Sequence, residues 1–142
     1  MKAVFLGLLL AISSLAASAH EMRPSIASLS VDSQGVLKLE LVTNMEAWLA
    51  GIEPSLPDTD DSPNSSIYDG FRSLDATALE SVLQDREPDI VRLVKVVAGV
   101  APVKMTLSSV RVLPVDDSEL PRDTELTFLG GLPSGAESIV YR

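Results

Sequence analysis

The hydrophobic period of this chain changes twice, and those changes constrain the fold more than any other feature. Over residues 25–31, Ala27, Leu29 and Val31 alternate with Ser28 and Ser30. Over residues 36–42, Leu37, Leu39 and Leu41 alternate with Lys38 and Glu40. A period of two belongs to a half-buried strand. Gln34-Gly35, after Asp32, is a turn signal, so the two runs predict a β-hairpin. The spacing then becomes three and four. Thr43 or Asn44 caps a short helix carrying Met45, Trp48, Leu49 and Ile52, and Pro54 and Pro57 stop it. Ser62-Pro63 reads as an N-cap with Pro in the first turn, opening a helix with Ile67, Tyr68 and Phe71. Asp75 caps a further helix with Leu79, Val82 and Leu83, ended by Pro88. Residues 44–87 therefore read as a helical insertion between strand regions.

Strand signals return after Pro88. Residues 89–97 are rich in Val and Ile, with an ambiguous period. Val103, Met105 and Leu107 alternate with Lys104, Thr106 and Ser108. The phase slips at Ser108-Ser109, and a β-bulge there keeps Val110 and Val112 inside with the preceding set. Leu126 and Phe128 alternate with Glu125 and Thr127, and turns follow at Gly130-Gly131 and Pro133-Ser134-Gly135. Ile139 and Tyr141 begin one more strand. The expected fold is mostly β: an antiparallel, immunoglobulin-like β-sandwich with a helical insertion at about 44–87. Leu29, Val31, Leu39, Leu41, Leu107, Val112, Leu126 and Phe128 are its expected core. Sandwiches of this size have about seven strands. The pattern yields six, the last cut short, so the chain reads as C-terminally incomplete. The alternative is a short terminal edge strand.

Composition narrows the function classes. The 142 residues amount to one domain. Twenty acids against eleven Lys and Arg give a net charge of −9, which argues against nucleic-acid binding, since phosphates need clustered cations. The absence of Cys excludes disulfides, thiolate catalysis and thiolate metal sites. The single His excludes a site built on two imidazoles of this chain.

Residues 1–19 read as a signal peptide: Lys2, an apolar run over 3–12, and Ala17-Ser18-Ala19 as the cleavage signal. The run is too short to span a bilayer. An uncleaved amphipathic anchor is the alternative. Residues 20–142 then form the mature domain, exported across the inner membrane to the periplasm.

Cleavage after Ala19 exposes His20 with a free α-amine beside its imidazole. That pair suits Cu(II), which favours nitrogen ligands. Such sites normally add a second His, which this chain lacks. His20 as merely the first residue after the cut is the competing reading. Asp58, Asp60 and Ser62 match positions one, three and five of a calcium loop, with Asp61 among them and Asp69 at position twelve. Pro63 stands where that loop needs Gly, and helix capping by these acids is the alternative. Asp116-Asp117-Ser118-Glu119 reads as a solvated turn. Asn64-Ser65-Ser66 fits an N-glycosylation pattern, relevant only in a eukaryotic secretory route. Trp48, Tyr68, Phe71 and Phe128 read as core. The chain has no G-x-S-x-G motif. Its paired carboxylates, which a glycosidase would need, lack substrate-stacking aromatics around them. A non-enzymatic domain is expected.

Several stretches resemble a known group. His20-Glu21-Met22-Arg23-Pro24, followed by an alternating strand, is similar to the N-terminal extracytoplasmic segment of HupE/UreJ-like bacterial membrane proteins. Ala47-Trp48-Leu49-Ala50-Gly51-Ile52, Asp58-Thr59-Asp60-Asp61-Ser62-Pro63, Leu120-Pro121-Arg122-Asp123 and Leu132-Pro133-Ser134-Gly135-Ala136 are similar to it as well. The resemblance implies a periplasmic β-rich domain that precedes several membrane spans. Its partners would be those spans or another membrane protein. Some members are described as nickel or cobalt permeases, or as hydrogenase and urease accessory proteins, which sets nickel beside the copper that the His20 terminus suggests. The family's transport residues belong to His-containing membrane helices. None of them maps onto a position of this sequence.

Overall fold

The computed structural model describes residues 24–115, 120–136 and 138–141. The expected hairpin is present: β1 (Ile26–Val31) pairs antiparallel with β2 (Val36–Thr43), Leu29 opposite Leu39 and Val31 opposite Leu37. Its turn is held by Asp32, whose Oδ1 accepts from the backbone N–H groups of Gln34 and Val36. Two antiparallel sheets form. The larger has the order β1-β2-β6-β5, with β5 at Met105–Val112 and β6 at Thr124–Gly131. The smaller has the order β4-β3-β7, from Val96–Ala98 (β3), Ala101–Val103 (β4) and Ile139–Tyr141 (β7).

The alternating run expected through Val103, Met105 and Leu107 is two strands. It breaks at Lys104 and passes from one sheet to the other. Gly130, paired with Met105, lies at this corner. A Cβ there would stand 2.6 Å from Met105 Sδ, 2.9 Å from Val103 Cγ1 and 3.0 Å from the Lys104 carbonyl. Only glycine lets the backbones approach so closely. The expected bulge is also present, as a register shift between Leu107 and Ser109.

Four helices separate β2 from β3: α1 (Met45–Ala50), α2 (Ser65–Arg72), α3 (Ala76–Asp85) and α4 (Glu87–Leu93). Asn44 caps α1 by accepting from Ala47 N at 3.0 Å, and Asp75 caps α3 by accepting from Ala78 N at 2.8 Å. Gly51 ends α1 in the left-handed region at φ 68°, a position that favours glycine. The helix expected from Ser62-Pro63 starts later, at Ser65. Ser62 Oγ instead accepts from Asn64 N within the entry turn.

Pro88 was expected to stop the helical region, and this is corrected. It lies in the first turn of α4, where a missing N–H costs nothing because those donors lack intrahelical partners. The helical insertion thus runs on to Leu93, and the strand begins only at Val96.

The core lies between the larger sheet and α3–α4. Leu37, Leu39, Leu126 and Phe128 of the sheet pack with Leu79, Leu83 and Ile90 of the helices. Val96, Ala98 and Val103 of the smaller sheet complete it, and Val112 is buried within it. Leu41 and Leu107 pack against its margin. Leu29 and Val31 correct the expected core list, being 38% and 44% exposed. They share the inner face of the sheet with Leu39 and Leu37. However, α3 and α4 lie over the β5 side, and β1 is the opposite edge. No helix of the described residues is long and apolar enough to cross a membrane.

Candidate functional site

The most organised polar group in the described residues is one that sequence reading missed. Glu46, in the first turn of α1, is fully buried. Arg122, in the loop that enters β6, donates from Nε to Glu46 Oε1 at 2.8 Å, and its Nη2 also reaches that oxygen. Arg122 Nη1 donates to the Leu74 carbonyl at 2.9 Å, and Nη2 to the Phe71 carbonyl at 3.3 Å. Arg72, in the last turn of α2, approaches Glu46 Oε2 at 3.2 Å and donates to the Leu120 carbonyl. One carboxylate is thus shared by two guanidinium groups from distant segments.

Tyr68 extends the cluster. It is 1% exposed, and its hydroxyl oxygen accepts from Asn44 Nδ2 at 3.1 Å. Burial pushes its phenol above the ordinary value, and the Glu46 charge adds to this. Asn44 therefore caps α1 with one amide atom and ties α2 to it with the other. A cleft of about 400 Å³ opens beside Arg72 and Arg122, lined also by Ser73, Asp75 and Pro114. The Arg122 nitrogens turn instead to Glu46 and to backbone carbonyls, which is the chemistry of a structural clamp. The sequence offers only Glu46 in the first turn of the expected helix, an ordinary position for an acid. Its two partners are too distant in sequence to be paired by spacing.

The residues expected as metal ligands are not brought together. Asp58 caps a single 3-10 turn, Thr59–Asp61, accepting from Asp60 N at 3.0 Å. Asp60 and Asp61 are exposed. Asp69 lies exposed on α2. Among the described residues there is no group of three or more His, Asp or Glu able to hold a metal ion. His20, the proposed signal peptide and residues 116–119 lie outside the described residues.

Apolar features of the surface are better candidates. Trp48, expected in the core, packs against the core's edge and lines a surface groove of about 450 Å³ with Pro24, Thr43, Asn44, Ile52 and Pro54. A smaller recess of about 190 Å³ shares Ser25, Thr43 and Trp48 with it and reaches Leu41, Phe128 and Tyr141. Beside this groove runs β1, exposed along its whole length and, among the described residues, unpaired along one edge.

The four sheet edges differ. The β5 edge carries a bulge, and Glu80 of α3 accepts from Val112 N at 2.8 Å. The β4 edge is three residues long and contains Pro102, and the β7 edge is also three residues long. Bulges, prolines and short length are the usual protections of an unpaired edge. β1 has six residues, no charge, no proline and no bulge. Comparison of this chain with protein-family models, curated proteins and solved structures finds no match to any of them.

Proposed function

We propose that this chain is a non-enzymatic extracytoplasmic domain, the outer part of a HupE/UreJ-like membrane protein, and that it works by interaction or assembly. Its partners on this reading are the membrane spans of its parent protein or a neighbouring membrane protein. The observation that carries the reading is the edge of β1, which no described residue pairs with, with Leu29 and Val31 on its inner face and the Trp48 groove beside it. Strand addition to an open sheet edge is a common mode of protein recognition, with backbone hydrogen bonds giving affinity and alternate side chains giving selectivity. The same reading takes the two antiparallel sheets as an immunoglobulin-like arrangement, in which the strand turning at Lys104 links one sheet to the other.

Single-cysteine labelling tests it, because the chain has no Cys of its own. Leu29→Cys and Val100→Cys are expressed from the complete coding sequence, and whole cells are treated with a maleimide that does not cross the inner membrane. Val100 is fully exposed at the β3–β4 turn. The expected result is labelling at position 100 and protection at position 29. Labelling at position 100 only after lysis would refute the extracytoplasmic placement. Equal labelling at both positions would refute an occupied β1 edge.

A further inference from the structure

The interaction reading leaves open what occupies the β1 edge. Resting on that reading, we infer that the occupant is a second copy of this chain, joined β1 to β1 with Leu29 on the two-fold axis.

Two identical antiparallel strands that extend one sheet are related by a two-fold axis normal to it. That axis leaves each face on its own side. Each residue must therefore pair with one of its own face, so a β1 residue pairs only with another at an even separation or with itself. For residues 26–31 two central registers satisfy this: Ser28 opposite Ser28, or Leu29 opposite Leu29. The first sets Ile26 against Ser30 and Ala27 against Leu29. The second sets Leu29 against Leu29 and Ala27 against Val31 on the inner face, with Ser28 against Ser30 on the outer face. Only the second matches apolar with apolar of similar bulk at the centre and serine with serine outside. It joins the two copies' apolar rows, already opposite Leu37, Leu39 and Leu41, into one strip.

Charge points the same way. Like charges directly opposite one another destabilise a strand pair. The chain carries −9 overall, yet residues 24–31 contain no ionisable side chain. Two copies can therefore bring their β1 edges together without like charges meeting; residues 96–103 are also uncharged, but the β4 edge within them is three residues long and holds Pro102. The nearest acid, Asp32, is turned into its own hairpin by its bonds to Gln34 and Val36. A strand pair this short lies at the small end of protein interfaces, so the dimer exchanges with monomer.

The experiment is sedimentation of the chain expressed from its complete coding sequence, followed by mild oxidation of the single-cysteine variants Leu29→Cys, Ser28→Cys and Ile26→Cys. Directly opposed residues have Cβ atoms about 4.5–5.5 Å apart, while diagonal ones are about 7–8 Å apart, and a disulfide needs about 3.5–4.5 Å. The expected result is a concentration-dependent dimer, fastest disulfide formation at position 29, and loss of the dimer in Leu29→Lys. A dimer that cross-links fastest at position 28 overturns the inference. So does a chain that stays monomeric as its concentration rises. If that monomer still has position 29 protected in cells, the second copy fails while the interaction reading stands. If position 29 is as reactive in cells as position 100, both fail.

Discussion

Arg122 grips Glu46 across 76 residues of sequence, with Nε 2.8 Å from Oε1. The contact closes the helical insertion onto the loop that leads into β6, the strand lying between β2 and β5. Glu46 is fully buried and the Arg122 side chain is 6% exposed. The pair is therefore shielded from the solvent screening that makes most surface ion pairs weak.

Removing Arg122 leaves the buried Glu46 carboxylate with Arg72 alone, and neutralising Glu46 leaves two guanidinium groups without their shared counter-charge. Arg122→Ala or Glu46→Gln is expected to cost about 3–5 kcal/mol, read as a lower urea midpoint. Arg122→Lys should recover only part of the loss. An ammonium cannot bond Glu46 and the Leu74 and Phe71 carbonyls with one planar fork. As a contrast, Arg111→Ala breaks an exposed pair with Glu125 and is expected to cost about 1 kcal/mol or less. Equal losses at positions 111 and 122 would refute the clamp.

Tyr68 gives the domain an alkaline limit. Burial raises its phenol above the ordinary value of 10.0. Above about pH 10 the unfolded chain releases that proton while the folded chain keeps it. The folded state then binds more protons, so stability falls as pH rises through this window, and titration of Tyr68 adds no pH dependence below it. Tyr68→Phe is expected to be less stable at neutral pH, through the loss of the Asn44 bond, and to show a shallower decline above pH 10. Parallel declines in the two proteins would assign the alkaline loss to other groups.

Local signals were readable in the sequence, and long-range ones were not. The hairpin of β1 and β2, the caps at Asn44 and Asp75 and the slip at Ser108-Ser109 all depend on neighbours within a few residues, and all are present. Pro88 misled because proline ends a helix or begins one, and the choice depends on Arg86, where one helix stops and the next starts. Leu29 and Val31 misled for a different reason. Alternation tells which face a side chain is on, but not whether anything covers that face. Glu46, Arg72 and Arg122 were unreadable as a group because only the folded chain brings α1, α2 and the β6 approach together.

Gly130 tests the corner where the chain changes sheets. Gly130→Ala places a methyl group against Met105, Val103 and the Lys104 backbone. Met105 can yield, but the backbone carbonyl at 3.0 Å cannot do so cheaply. The expected cost is about 1–3 kcal/mol. Gly131→Ala, with nothing within 4 Å of its Cβ position, serves as the control and should change little. A thermal midpoint unchanged in Gly130→Ala would show that the corner is looser than this packing.

The pair Leu29 and Leu39 separates pattern from burial. The two face each other across the β1–β2 ladder, on the same side of the sheet. Leu39 is fully buried in the core, while Leu29 is 38% exposed. Leu39→Ala leaves a cavity in the core that also holds Leu83, Ile90 and Phe128 and is expected to cost about 2–5 kcal/mol. Leu29→Ala, measured at protein concentrations low enough to keep the chain monomeric, should cost about 1 kcal/mol or less. At higher concentration the wild type alone should gain stability, because an association that needs the folded state raises the apparent midpoint by mass action. A large loss from Leu29→Ala in the dilute monomer would place that side chain in the core. A concentration-dependent gap between the two proteins would place it in an interface.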